Sequence, residues 1–212
     1  MTEPKALLEV ARALTNRRIP WFVAGGWAID LHLGRVTRAH NDIDTLILRS
    51  DQAALRTSMD FDLRAVFPHP ERHMNRGTVA RWPAGKVLEL PVHQLNAYRP
   101  GDPILAEIDA AHIDSGHRYW FQIMLAESDE RDWIYRRNSA VRLPLKQLGF
   151  HPLWGLPYLA PEVVLLFKAK LMQDKDREDF RNVRPHLNVD ARRWLHDALA
   201  ESHPGHEWLR EL

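Results

Sequence analysis

The sequence predicts an α/β (α+β) protein, with a mixed sheet flanked by helices followed by a helical C-terminal region. Three observations lead there. Short apolar runs bounded by glycine and polar turns, such as Trp21-Phe22-Val23-Ala24 and the run over 43–48, read as buried strands. Leu7, Leu8, Val10, Ala11 and Leu14 recur at helical spacing. From Pro161 onward the pattern is helical in three pieces, broken by Pro185 and Pro204.

Taken in order, the first helix is expected over 2–15, and Arg17-Arg18-Ile19-Pro20 turns into the first strand. Gly25-Gly26 ends that strand and opens a helix over 27–33, which Gly34 closes where glycine commonly stops helices. After the strand over 43–48, Ser50-Asp51 is expected to cap a third helix carrying Ala53, Ala54 and Leu55. Residues 79–82 and 87–90, joined through Pro83-Ala84-Gly85, read as a hairpin, and 92–98 as a further strand. The segment 100–116 reads as an irregular excursion. Residues 119–127 and 133–137 form a second hairpin; the C-terminal helices are expected over 161–171, 176–184 and 190–201. A core region over 1–150 and a helical region over 151–212 follow from this order.

Composition narrows the function. With 45% hydrophobic and 27% charged residues, a packed core is expected rather than disorder. Lys and Arg number 29 against 28 acids, so no chain-wide basic field exists to gather a nucleic acid, and such binding needs a local patch. The absence of cysteine removes disulfides, thiolate zinc sites and cysteine nucleophiles. Met-Thr-Glu-Pro-Lys begins no signal-peptide core and no apolar run approaches ~18 residues, so a cytoplasmic protein without a membrane partner is expected.

The informative stretch runs over 21–49. Asp42 and Asp44 stand two apart at the start of a strand, so their side chains share a face. Two hard oxygen donors on a rigid strand suit Mg²⁺, which binds carboxylates together with the phosphates of its substrate. Such a pair alone equally describes two solvated aspartates. Gly25-Gly26 lies between a strand and a helix, where backbone lacking Cβ atoms approaches a phosphate closely; the alternative is a plain tight turn. No Gly-Lys-Ser/Thr follows, which excludes a Walker A loop, and a dinucleotide fingerprint lacks its third glycine.

The composite Gly25-Gly26-Trp27-Ala28-x-Asp30, Leu33-Gly34-x-x-Thr37-Arg38-x-His40-x-Asp42-x-Asp44 resembles the signature of antibiotic nucleotidyltransferases. The aminoglycoside 2''-adenylyltransferase and lincosamide nucleotidyltransferase families, in the DNA-polymerase-beta-like superfamily, are the ones it is similar to. Pro161-Glu162, Lys168-Ala169 and Lys175-Asp176-x-x-Asp179-Phe180 form a weaker second match. The resemblance implies a nucleotidyltransferase-type fold and transfer of a nucleoside monophosphate, AMP from ATP or another nucleoside triphosphate, to a hydroxyl of a small molecule such as an aminoglycoside-like antibiotic. It implies that Asp42 and Asp44 bind Mg²⁺ and that Gly25 and Gly26 hold the triphosphate. Arg38 and His40 would reach phosphate or fix Asp42, or else be a surface arginine and a capping histidine. Lys168, on an apolar helix, either snorkels or reaches the triphosphate, and Lys175 would share its face if the helix continued. Asp176 and Asp179 read as ion-pairing or capping residues.

The superfamily usually carries a third carboxylate, as metal ligand or general base. Near Gln122, where one is expected, an amide stands that accepts no proton; Glu127 is the first candidate to replace it and Glu89 the second. That gap keeps open a nucleotide-binding protein of weak turnover, and the shared motif keeps open a toxin-like transferase acting on RNA or protein. Glu127, Asp129, Glu130, Asp109 and Asp114 are candidates to attract a cationic acceptor. His69-Pro70-Glu71-Arg72-His73 mimics a zinc-hydrolase spacing that Pro70 spoils, and Trp82, Trp120, Trp133 and Trp154 read as core or cleft-lining rings.

Overall fold

The computed structural model describes residues 4–15, 19–56, 61–69, 77–111, 118–152 and 155–212. The expectations for residue 2, Arg17, Arg18, Pro70 to His73, Asp114 and Trp154 fall outside them. The helices are α1 (Pro4–Thr15), α2 (Gly25–Leu33), α3 (Gln52–Leu55), α4 (Ile104–Ala111), α5 (Pro161–Lys168), α6 (Asp174–Val183) and α7 (Val189–Ser202). The strands are β1 (Trp21–Val23), β2 (Asp44–Leu48), β3 (Asp62–Pro68), β4 (Gly77–Arg81), β5 (Gln94–Tyr98), β6 (Phe121–Ser128), β7 (Asp132–Ile134), β8 (Arg142–Pro144), β9 (Gly149–Phe150) and β10 (Tyr158–Leu159). No described helix is long and apolar enough to cross a membrane.

The chain forms two compact units that interleave in sequence, where the reading from sequence draws one boundary after residue 150. One unit takes Met1–Trp21 and Asn41–Ala126; the other takes Phe22–His40 and Glu127–Leu212.

The first unit carries a mixed sheet in the order β4-β3-β5-β6-β2. Only the β2–β6 pair in this run is parallel; β6, β5, β3 and β4 pair antiparallel in turn. β4 pairs with β3, not with residues 87–90, so the expected first hairpin is corrected. Around Leu88 the backbone is satisfied by side chains instead: Gln52 accepts from Leu88 N at 2.8 Å, while Gln52 and Arg49 donate to its carbonyl at 3.1 and 2.7 Å. The turn Arg49–Asp51 runs directly into α3 without a side-chain cap, so Ser50-Asp51 does not play the capping part expected of it.

The supposed irregular excursion contains α4. Asp102 accepts from the Ile104 backbone N–H at 3.2 Å and Pro103 precedes the first turn, a combination that starts helices. Ile104, Leu105 and Ile108 then pack on Val66, Val79 and Tyr98. The same helix answers the buried charge that hides β3 from an apolar-run reading: Arg64 forks onto Asp109 at 3.0 and 3.1 Å.

In the second unit β1 pairs parallel with β10, and β10 antiparallel with β9. The last residues of β6 pair with β7, and β7 with β8. α2 packs against α5 and α6, and α5 against α7. Proline opens α5, and a capping box between Gln173 and Asp176 opens α6. A 3-10 turn, Ala169–Leu171, ends the α5 run, so exposed Lys175 lies on a separate helix from Lys168. The Phe180 and Trp208 rings stack at 4.3 Å within the buried core of this unit.

Removing Arg64 leaves Asp109 short of its forked partner beside an apolar cluster. Arg64→Ala should destabilise the protein by about 2–4 kcal/mol, toward the lower end for pairs near the surface. A fall in the urea midpoint, read by tryptophan fluorescence, checks it; an unchanged midpoint contradicts the structural role given to this pair.

Candidate functional site

The motif residues fall into both units, and each group has its own surroundings. In the first, Ile43 is buried and anchors the entrance to β2, leaving Asp42 exposed and Asp44 half-buried on either side of it. Parallel pairing sets Asp44 opposite Gln122, with the Gln122 N–H donating to the Ile43 carbonyl at 2.9 Å. Gln122 in turn stands opposite Asn96, and Asn96 opposite Arg64, so a polar row crosses four strands on one face. Asn96 has no exposed surface, and its side-chain oxygen accepts from Gln94 at 3.1 Å and Gln122 at 3.4 Å.

Tyr119, which the sequence reading passed over, belongs to this face. Burial raises its phenol above the ordinary value, and the charges of Asp44 and then Asp42 push it further the same way. Its ring packs on the cluster of Val66, Val79, Tyr98 and Ile108. As a donor set Asp42 and Asp44 fit Mg²⁺, which takes one or two carboxylates and completes its shell with phosphate oxygens and water. Among the described residues, no group of three or more His, Cys, Asp or Glu side chains is arranged to hold a metal.

The third carboxylate has no counterpart beside Asp44 in the strand register, where Gln122 stands. Glu127 lies in the second unit and pairs with Ile134 of β7; Glu89 is exposed in a turn whose carbonyl accepts from Val92 N. Two acids expected to attract a cationic acceptor are already answered. Asp109 pairs with Arg64 and Arg81, and Asp129 accepts from the Arg131 and Asp132 N–H groups and from Arg142. Those bonds hold the Asp129 carboxyl at about 2, well below the usual range.

In the second unit, Gly25 opens α2 at φ 61°, a left-handed conformation that suits glycine. The Gly26 Cα faces Arg38 and His40 so closely that an added Cβ would collide with both. Its missing side chain thus makes room for protein. Arg38 forks onto Asp179 at 2.8 and 2.9 Å, donates to the Ala39 carbonyl at 3.0 Å, and lies 3.2 Å from His40 Nδ1. A guanidinium only donates, so Nδ1 accepts and the imidazole proton sits on Nε2, which donates to Asp30 at 2.6 Å. The His40 ring also stacks on Trp27 at 4.3 Å. Lys168 bonds Asp176 at 2.5 Å and Asp179 at 2.9 Å.

Arg38, His40 and Lys168 are thereby brought into one buried network with three aspartates. Asp30 and Asp179 carry it, and an acid inside the apolar stretch 27–33 is the signal that points to Asp30. Burial alone would raise the Asp30 carboxyl, but hydrogen bonds from His40 and Thr37 outweigh it and hold the group below its ordinary value. Burial likewise opposes the Arg38 charge, and Asp179 more than restores it.

This architecture is that of the nucleotidyltransferases. The chain superposes on the crystal structure of ANT(2'')-Ia with adenylyl-2''-tobramycin at a TM-score of 0.53 and 15% identity, covering 94% of this chain and 99% of that one. It superposes on the lincomycin-bound lincosamide antibiotic adenylyltransferase LnuA at 0.51 and 14% identity, covering 86% and 97%. The sequence pattern of the aminoglycoside-2''-adenylyltransferase family matches residues 6–61. Over 43 residues the chain is 46% identical to 2''-aminoglycoside nucleotidyltransferases of Klebsiella pneumoniae and Escherichia coli, a match spanning 20% of this chain and 24% of those relatives. The likeness is thus one of fold over most of the chain and of sequence over residues 6–61.

Two outcomes follow. Gly26→Ala must displace Arg38 or His40, both pinned by buried acids, and should cost about 1–3 kcal/mol in a denaturant titration; a neutral effect contradicts the close packing. Because Asp30 is depressed in the fold, its contribution is complete above the ordinary aspartate range and fades as pH falls below about 4. Asp30→Asn should therefore flatten the acid limb of stability against pH, and an unaltered limb means that the carboxylate is not held as described.

Proposed function

We propose that this chain is a cytoplasmic enzyme that transfers AMP from ATP to a hydroxyl of a small molecule, with an antibiotic of aminoglycoside or lincosamide type as the leading acceptor. The observation that carries this reading is the Asp42–Asp44 pair at the entrance of β2, inside the stretch that matches the adenylyltransferase pattern. The acceptor class is supported by proteins that share the fold, one solved in complex with adenylyl-2''-tobramycin and one with lincomycin bound.

In this reading Asp42 and Asp44 would hold Mg²⁺, and Gly25 and Gly26 would offer backbone N–H groups to phosphate oxygens. Bound there, Mg²⁺ would neutralise charge developing on the phosphates. The acceptor oxygen forms a bond to the α-phosphorus as the bond to the departing pyrophosphate breaks. The proton goes to water or to the acceptor itself in this reading, because Glu127 stands roughly 16 Å along β6 from Gln122, the neighbour of Asp44, and faces the other side of the sheet. Gln122 beside Asp44 supports a second reading, a nucleotide-binding protein of weak turnover, because an amide in that register takes no proton.

Labelled ATP and Mg²⁺ incubated with aminoglycosides, lincosamides and total RNA test the reading. Label should enter a small molecule, and Asp42→Asn or Asp44→Asn should lower the rate about a hundredfold or more without unfolding the protein. Label found only in RNA or protein overturns the small-molecule acceptor; near-normal transfer by either variant overturns the metal assignment.

A further inference from the structure

We propose that Asp179 is a positioning residue for nucleotide binding: through Arg38 and His40 it fixes the first turn of α2, and these two side chains serve that turn instead of contacting phosphate. The inference rests on the functional reading above, since it takes the Gly25 and Gly26 backbone as the holder of the triphosphate.

The argument begins with donor counting. A guanidinium has five N–H bonds. Arg38 directs Nε and Nη2 to Asp179, and Nη1 to the Ala39 carbonyl and His40, so four of its donors have protein acceptors. Two of the three ammonium hydrogens of Lys168 go to Asp176 and Asp179. Asp179 itself is 0% exposed, so both cations meet their counter-charge inside the protein. What the network touches next is α2: Arg38 and His40 abut Gly26, His40 stacks on Trp27, and its Nε2 proton goes to Asp30 of the same helix. The first turn has no side-chain cap of its own, since Ala24 stands at the N-cap.

The competing possibility is that Arg38 and Lys168 are phosphate ligands which Asp179 merely neutralises at rest. The two give opposite signs. If the cations were ligands, removing the acid would free two positive groups and tighten anion binding. If Asp179 positions the turn, its removal loosens the turn and weakens binding.

The experiment uses the whole chain, a fluorescent ATP analogue with Mg²⁺, and ¹⁵N correlation spectra of the histidine rings. Asp179→Asn should weaken analogue binding by up to about a hundredfold, and the His40 Nδ1 signal should move as Arg38 withdraws. Arg38→Lys, which keeps the charge but loses the fork, should act in the same direction and serves if the first variant does not fold. Folded variants that bind the analogue equally or more tightly, or whose His40 signal is unmoved, overturn the positioning role alone. An unmodified chain that binds no analogue overturns the functional reading together with this role.

Discussion

A carboxylate without exposed surface must find its counter-charges within the protein, and Asp179 meets that condition by accepting a forked guanidinium and an ammonium at once. Much of the second unit is arranged around that requirement. α6 supplies the acid, α5 the lysine, and the segment after α2 the arginine, so three pieces of chain meet at one side chain. Arg38, once fixed, decides which nitrogen of His40 holds a proton. That in turn decides which way Asp30 is satisfied. An apolar core tolerates many shapes of similar volume, whereas this network admits one arrangement of donors and acceptors.

The polar row of the first unit obeys a different rule. Arg64, Asn96 and Gln122 lead across the sheet to Asp44, and the two middle members are neutral amides joined to each other. An amide chain orients its neighbour without adding charge, so negative charge on this row resides in Asp44 alone. A Mg²⁺ ion held by Asp44 and Asp42 would rely on phosphate and water for the rest of its shell, which would couple metal affinity to the presence of nucleotide.

What could be read from sequence follows the range of the forces involved. α1, α2 with its Gly34 stop, β2 and the three C-terminal helices are written in local periodicity and end signals, and each is found close to where the pattern puts it. β3 escapes because Arg64 interrupts its apolar run, and its neutralising Asp109 lies 45 residues away. The 87–90 segment looks like a strand because it is mostly apolar and follows the turn signal Pro83-Ala84-Gly85, yet Gln52 and Arg49 take the backbone bonds of Leu88. The candidate site divides the same way. Asp42, Asp44, Gly25 and Gly26 stand out by spacing, but the partners of Arg38 and Lys168 depend on contacts that no local window contains. The sequence suggests ion pairing for Asp176 and Asp179 without revealing with whom.

The interleaving of the two units sets an order in time. Residues 22–40 are made before the residues 127–212 that complete their unit, and Arg38 precedes Asp179 by 141 residues. At ~5–20 residues per second, the wait is on the order of ten seconds. Within that interval the strands of the first unit through β6 are made, ahead of the acid that Arg38 pairs with. A chain interrupted between these points retains the signature motif in full, with its arginine and histidine lacking the acid that orders them. Possession of the motif and possession of the ion pairs that surround it are thus separable events in the synthesis of this protein, the second arriving only with Asp179.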